Sequence, residues 1–233
     1  MDNILYEFNQ FMQDCDLAYA VCGGYALELF TNTKYRPHSD IDITLFAEDR
    51  INIINYILSK DWDVYEYLHH KNCLKQITDT SDKGILNCLY IWAIKPNCSF
   101  FRIKPRTGEK NYYDFEILDQ EQKEFDFIEI IFNEQKDGKF ICDNEKNIAR
   151  ILDKAILHHN TIPYLAPEII LYFISNPAYI ESDYHRGKTQ IDFSFVPKFL
   201  SKESLDWLIT AIEKAYPKNN MHIEQLKELQ CTL

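Results

Sequence analysis

The sequence predicts an α+β fold with a sheet-rich N-terminal part and a helix-rich C-terminal part. Before about residue 140, short apolar or alternating segments of strand type recur between turn residues. After Gly138, apolar residues recur at helical spacing instead. We therefore predict two domains, residues 1–140 and residues 141–233.

Composition places the chain among ordinary globular proteins and limits its partners. Of its 233 residues, 46% are hydrophobic and 26% are charged, which suits a protein with a buried core. The net charge of −11 has the wrong sign for neutralising nucleic-acid phosphates. A cationic or metal-bound ligand is therefore favoured over a nucleic acid.

Cysteine usage and hydropathy bear on the compartment. The seven cysteines are scattered and include no C-x-x-C pair, so neither a disulfide framework nor a zinc ribbon is indicated. No apolar run approaches the roughly 20 residues needed to span a bilayer, and the N-terminus lacks a basic signal-peptide region. We expect a cytoplasmic protein without a membrane segment.

Local patterns predict the elements in order. Helical spacing at 4–12 is followed by an apolar strand at 17–22, which ends at Gly23-Gly24, and then by a helix at 25–30. A helix at 51–58 is expected among further strands at 40–45, 62–67, 85–94, 100–103, 112–118 and 125–132. Later helices are expected at 148–156, 168–174, 204–216 and 223–229, with Pro167 in a first turn and Ser201 as an N-cap.

The strand at 40–45 carries two carboxylates on one face. Asp40 and Asp42 alternate with apolar residues, so both side chains leave the same side of the strand, about 6 to 7 Å apart. Oxygen ligands at this spacing suit one or two divalent ions, and Mg²⁺ in particular. An isolated Asp-x-Asp is more often simply solvated, so the pair needs its context.

That context is the diglycine before the helix at 25–30. Gly23 and Gly24 have no Cβ, so backbone N–H groups at this helix start can approach a phosphate closely. A phosphate site followed by a carboxylate pair is typical of metal-dependent chemistry on a nucleotide.

The segment GGYALELFTNTKYRPHSDIDI resembles the signature of the nucleotidyltransferase superfamily related to DNA polymerase beta. The resemblance is to the branch of aminoglycoside and lincosamide nucleotidyltransferases. Tyr25, Glu28 and Tyr35 depart from the usual Trp, Asp and Thr of that branch. The matching positions are Gly23, Gly24, Ala26, Leu27, Arg36, His38, Asp40 and Asp42.

The resemblance implies a nucleotidyltransferase fold, with a mixed sheet flanked by helices and a helical C-terminal domain. It also implies a third acidic residue on a later strand. Asp114, in Asp114-Phe115-Glu116, fits best, either as a metal ligand or as the base for the acceptor. The rival acids lie on strands that match less well; they are Glu66, Asp126 and Glu129.

The remaining site residues also follow from the resemblance. Gly23 and Gly24 are expected to contact phosphates, and Arg36 and His38 to shape the loop or reach the phosphate tail. Relatives often carry a lysine where this chain has Phe173. Two cations are candidates to replace it, Lys188 and Arg186.

The implied activity is transfer of a nucleoside monophosphate from Mg²⁺-bound NTP, with ATP the expected donor, to a hydroxyl of a small acceptor. The resemblance implies an antibiotic-like acceptor, of aminoglycoside or lincosamide type, and the acidic composition favours a cationic one. Two alternatives stay open: nucleotidylation of tRNA or protein by a toxin-type enzyme, and a nucleotide-binding module without catalysis.

Overall fold

The computed structural model describes residues 3–81, 83–119, 121–216 and 221–231. Contacts within the chain separate two units: unit 1 comprises residues 1–25 and 37–134, and unit 2 comprises residues 26–36 and 135–233. The chain therefore enters unit 2 briefly before it completes unit 1. The predicted domain boundary is at residue 140, and the chain last passes from unit 1 to unit 2 between residues 134 and 135.

Unit 1 is built on a mixed β-sheet. Its strands, in chain order, are β1 (Tyr19–Cys22), β2 (Ile41–Phe46), β3 (Asp63–Leu68), β4 (Cys73–Ile77), β5 (Tyr90–Ile94), β6 (Phe101–Pro105), β7 (Tyr112–Ile117) and β8 (Phe127–Lys136). They lie in the order β1-β2-β8-β5-β3-β4-β7-β6. β2 and β8 are parallel, whereas β1 and β2, and β5 and β8, are antiparallel.

Helices cover the sheet of unit 1 because each has one apolar face. They are α1 (Asn3–Phe11) and α3 (Arg50–Ser59), and α2 (Gly23–Thr31) begins in this unit. Leu5 and Phe8 of α1 are buried, as are Ile41 and Ile43 of β2. The alternation predicted for β2 is therefore confirmed on its core side, and β2 lies between β1 and β8.

Unit 2 mixes strands and helices. Its strands are β9 (Lys139–Asp143), β10 (Ile148–Ile151), β11 (Ile156–His159) and β12 (Ile162–Leu165). Its helices are α4 (Leu152–Ala155), α5 (Pro167–Ile174), α6 (Pro177–Glu181), α7 (Asp183–Phe195), α8 (Lys202–Ala215) and α9 (Met221–Gln230). β9 pairs with β10 and β11 with β12, both antiparallel, while α8 packs against α5 and α9.

The helix predicted at 148–156 is wrong. The segment forms β10, the short α4 and β11, with Ile148 and Arg150 buried on alternate positions of β10. The spacing of its apolar residues fits both the helical period of about 3.6 residues and the strand period of about 2. Pairing of β10 with β9 makes the first part of the segment a strand. The C-terminal part is thus not purely helical.

Helix starts in unit 2 follow the local signals. Pro167 occupies the first turn of α5, and the Ser201 hydroxyl accepts a hydrogen bond from the Ser204 N–H at 3.2 Å at the start of α8. Both predictions are confirmed. None of the helices in the described part of the chain combines the length and apolar composition that crossing a membrane requires.

Candidate metal and nucleotide site

The acidic pair lies at the start of β2, inside unit 1. Asp40 directly precedes the strand and Asp42 is its second residue, and both side chains are half-buried. The Ser39 hydroxyl donates to Asp40 Oδ1 at 2.6 Å and so restrains that carboxylate. The sheet places β1 on one side of this pair and β8 on the other.

Glu129 of β8 completes a cluster of three carboxylates. It lies opposite Asp42 in the parallel β2–β8 register. One carboxylate oxygen from each of Asp40, Asp42 and Glu129 lies within 4.8 Å of the other two. The Trp92 Nε1–H donates to Glu129 Oε1 at 2.9 Å and orients it. We call these three residues the acidic cluster.

The structure does not bring Asp114 to this cluster. Among the described residues, the carboxylates whose oxygens lie within 4.8 Å of one another are those of Asp40, Asp42 and Glu129, and Asp114 is not one of them. It is exposed, and its Oδ1 lies 3.2 Å from Arg106 Nε. The third carboxylate next to Asp40 and Asp42 is that of Glu129, and a metal-binding or base role for Asp114 stays a prediction.

The other rival acids have separate positions. Glu66 pairs with Ile91, one residue from Trp92, and so lies on the opposite face of the sheet. Asp126 accepts hydrogen bonds from the N–H and hydroxyl of Ser99 at 2.6 and 2.8 Å. A signal for Glu129 was present in the sequence, because it is the one acid within the otherwise apolar run 127–132, and buried carboxylates need partners.

Gly23 brings the start of α2 against the acidic cluster. Its φ of +60° lies in the left-handed region, and a Cβ built on it would meet Asp42 Oδ2 at 2.0 Å. Only glycine permits this approach. With Gly24 it forms the predicted strand-to-helix turn, so the first turn of α2 begins beside the Asp42 carboxylate.

The cluster is crowded with negative charge. Burial, with a smaller contribution from the charge of Asp40, raises the pKa of Glu129 to about 7, against the opposing effect of the hydrogen bonds from Trp92 and with Asp42. Burial, and then the charges of Asp42, Glu129 and Asp40, raise the pKa of the Cys22 thiol well above its ordinary value. A cation in the cluster would relieve both effects.

The donor set fits a hard divalent cation. The three side chains offer only carboxylate oxygens, which Mg²⁺ and Mn²⁺ prefer over the nitrogen and sulfur ligands of zinc sites. Mg²⁺ commonly keeps one or two carboxylates and completes its shell with water and substrate phosphates. The adjacent start of α2 is the kind of backbone position at which such phosphates bind.

His38 and Arg36, both predicted to contact nucleotide, are held by neighbours. In unit 1, His38 is buried and its ring lies 4.5 Å from the Tyr25 ring. In unit 2, Arg36 forms a two-pronged pair with Asp192, with Nε to Oδ1 at 2.6 Å and Nη2 to Oδ2 at 2.9 Å. The Tyr35 hydroxyl donates to the same Oδ1 at 2.7 Å. These contacts favour loop shaping over contact with a phosphate tail.

The cation candidates near residue 188 lie in unit 2. Lys188 is half-buried on α7, one helical turn before Asp192. Arg186 is exposed and donates to the carbonyls of Ile180 and Glu181, each at 3.1 Å. A phosphate contact from Lys188 stays a prediction.

Comparison with known proteins gives structural likeness only. No protein-family model matches the chain, and no curated protein sequence does. The lincomycin-bound crystal structure of the lincosamide antibiotic adenylyltransferase LnuA is 14% identical, covers 83% of this chain and 97% of its own, and has a TM-score of 0.46. LnuA is a nucleotidyltransferase of the branch that the sequence motif resembles.

Two structures of a second protein are also similar. The solution structure of the antibiotic-resistance factor ANT(2'')-Ia is 12% identical, covers 95% of this chain and 96% of its own, and has a TM-score of 0.45. The crystal structure of ANT(2'')-Ia with adenylyl-2''-tobramycin is 10% identical, covers 98% and 94%, and has a TM-score of 0.38. We base the proposed function on the acidic cluster and not on these likenesses.

Proposed function

We propose that this protein is a Mg²⁺-dependent nucleotidyltransferase that moves a nucleoside monophosphate, AMP from ATP first of all, to a hydroxyl of a small antibiotic-like acceptor. One observation carries the proposal. Three carboxylates within 4.8 Å of one another lie directly against the glycine start of a helix, so a cation site and a phosphate site are adjacent.

The roles of the residues follow from their positions. Asp40 and Asp42 hold Mg²⁺, which when bound offsets the charge of the triphosphate and of the transition state. The N–H groups at Gly23 and Gly24 bind phosphate oxygens. Ser39 and Trp92 keep two of the carboxylates in place through their hydrogen bonds.

In the reaction, an acceptor hydroxyl oxygen forms a bond to the α-phosphorus of the NTP. The bond from that phosphorus to the bridging oxygen of the β-phosphate breaks, and pyrophosphate leaves with the bonding electrons. The hydroxyl proton passes to a base. Glu129 takes over the two roles expected of Asp114, as a further metal ligand or as this base.

The test is a transfer assay with ATP labelled at the α-phosphate, Mg²⁺ and an acceptor panel that includes lincomycin, tobramycin and bulk tRNA. We expect pyrophosphate release and a small molecule that gains the mass of one nucleotide. Asp42→Asn should abolish both with little change in melting temperature, since it removes a ligand worth several kcal/mol of transition-state stabilisation.

The outcomes are distinct. Full turnover by Asp42→Asn, or equal turnover in EDTA, would refute the metal site. Label in tRNA or in a protein, with every small molecule unmodified, would replace the acceptor class by a macromolecule.

A further inference from the structure

A row of aromatic rings continues from the acidic cluster across the same face of the unit 1 sheet. Trp92 lies opposite Glu129 in the β5–β8 register and is hydrogen-bonded to it. Tyr90 is two residues away on β5 and so shares that face. The Tyr67 ring of β3 stacks on Trp92, with ring centroids 4.6 Å apart and planes at 30°.

His69 joins the two tyrosines of this row. Its ring lies 4.2 Å from Tyr67 and 4.7 Å from Tyr90, measured between centroids. His69 is exposed and both tyrosines are half-buried, so part of each ring is accessible. We call Tyr67, His69, Tyr90 and Trp92 the aromatic wall.

The wall is close enough to Glu129 to sense its charge. Besides burial, the Glu129 carboxylate raises the pKa of both tyrosine hydroxyls, on Tyr67 and on Tyr90. Together with the Trp92–Glu129 hydrogen bond and the stacking of Tyr67 on Trp92, this effect indicates that the wall lies next to Glu129. A molecule that lies on these rings can place a hydroxyl next to Glu129.

The charges around the wall disfavour a polyamine. Several ammonium groups need several carboxylates, but the carboxylates next to the wall are those of the acidic cluster, whose charge a bound divalent cation would offset. Partial desolvation lowers the pKa of the otherwise exposed His69 from its ordinary value, which favours the neutral imidazole near pH 7. Trp92 is buried against Phe101 and Phe115, so the ring surface that the wall offers comes from His69, Tyr67 and Tyr90. Such surface suits the apolar face of a ring compound.

The direction of the reaction also favours this side of the cluster for the acceptor. In phosphoryl transfer the attacking and leaving oxygens are roughly in line on opposite sides of the phosphorus. The start of α2, where phosphates bind, follows β1 on one side of β2, whereas β8, β5 and β3 extend from the other side. The attacking hydroxyl is therefore expected from the side of the wall.

We propose that the aromatic wall is the acceptor subsite, and that its occupant is a hydroxyl-bearing ring compound of low charge, such as a sugar derivative, rather than a polyamine. The proposal rests on the proposed function, and it narrows the cationic acceptor expected from the net charge. Stacking on the rings holds the acceptor, and Glu129 marks where its reacting hydroxyl lies.

The experiment uses Mg²⁺-ATP as donor and lincomycin as the low-charge acceptor. His69→Ala and Tyr90→Ala should each raise the KM for lincomycin about tenfold and leave the KM for ATP within about twofold. His69→Phe keeps a ring and should return the KM to within about threefold of the wild type. The matched control is Tyr6→Ala on α1, an exposed tyrosine away from the wall, and it should change neither constant.

Charge class is tested with tobramycin, a polyamine. The wild-type kcat/KM should be at least about tenfold higher for lincomycin, and the preference should persist as salt rises. A preference for tobramycin that weakens with salt would overturn the proposal. So would wall variants that raise the KM for ATP instead, because the rings would then bind the base.

A failed transfer reaction is separable from a failed subsite. If the wild type modifies neither compound, calorimetry measures lincomycin binding to the protein loaded with Mg²⁺ and a non-hydrolysable ATP analogue. Binding that His69→Ala weakens about tenfold supports the subsite even though the proposed transfer is wrong. Equal binding by both proteins, or no binding by the wild type, overturns it.

Discussion

Replacing Gly23 by alanine tests the contact between the helix start and the acidic cluster. The new Cβ would lie 2.0 Å from Asp42 Oδ2, whereas ordinary contact begins near 3.4 Å, so the carboxylate oxygen must move by about 1.4 Å. Misplacement of a catalytic group by about 1 Å commonly costs on the order of 100-fold in rate. We expect kcat/KM to fall by at least about that factor.

A stability cost accompanies this loss and has to be separated from it. Alanine at a φ of +60° lowers the free energy of unfolding by about 1–2 kcal/mol. In a chain of this size each kcal/mol lowers the melting temperature by roughly 2–4 °C. Gly108 is the matched control, because its φ is +81° and a Cβ there would meet nothing within 4 Å. Gly108→Ala should show the stability cost alone.

The assay pairs pyrophosphate release with thermal unfolding for both variants, and calorimetry follows Mg²⁺ binding. Gly23→Ala should lose activity and Mg²⁺ affinity together, whereas Gly108→Ala keeps both. If Gly23→Ala retains a kcat/KM within about threefold of Gly108→Ala, the close approach of α2 to Asp42 has no catalytic role.

Three other predictions concern the carboxylates and the buried ion pair. Glu129→Gln should reduce turnover at least about 100-fold, whereas the turnover of Asp114→Asn should stay within about twofold of the wild type. If calorimetry shows that Glu129→Gln binds Mg²⁺ more weakly, Glu129 is a metal ligand. If Mg²⁺ binding is unchanged, Glu129 acts as the base. The pKa of Glu129 in the folded protein, about 7, exceeds its value in the unfolded chain, so the folded state binds the extra proton. The free energy of unfolding of the metal-free protein should therefore fall by roughly 3 kcal/mol between pH 4.5 and 7.5, while the affinity for Mg²⁺ rises. Thermal melts in EDTA should show this pH dependence, and Glu129→Gln should flatten it. Asp192→Ala should lower the free energy of unfolding in urea by about 3–5 kcal/mol, because it leaves the buried Arg36 without its carboxylate. Tyr35→Phe removes one hydrogen bond and should lower it by about 1–2 kcal/mol. Equal losses in the two variants would refute the importance of the ion pair.

Local features of the candidate site are readable from the sequence because they depend on neighbours along the chain. Alternation at 40–45 sets the buried side of β2, and a diglycine after an apolar run marks the strand-to-helix turn. The same holds for Pro167 and Ser201, whose helix starts need only the next few residues.

Contacts between residues that are distant along the chain cannot be read from local patterns in the sequence. Arg36 looks like a phosphate ligand in its motif, yet the fold gives its guanidinium a buried carboxylate at Asp192. The spacing of Ile148 to Ile156 fits a helix, yet hydrogen bonding to β9 makes part of it a strand. In both cases the competing interaction is tertiary and leaves no local pattern.

The third carboxylate shows most clearly the difference between what local sequence patterns determine and what the tertiary structure determines. Asp114 and Glu129 both lie in strand-type segments of the sequence, and an alternating pattern states which face a residue takes but not which strand lies beside it. The sequence by itself determined the paired aspartates and the glycine turn, since period and steric freedom act within a few residues. Only the tertiary structure decided that β8 pairs with β2 while β7 lies near the far edge, because strand order arises from the packing of the whole sheet.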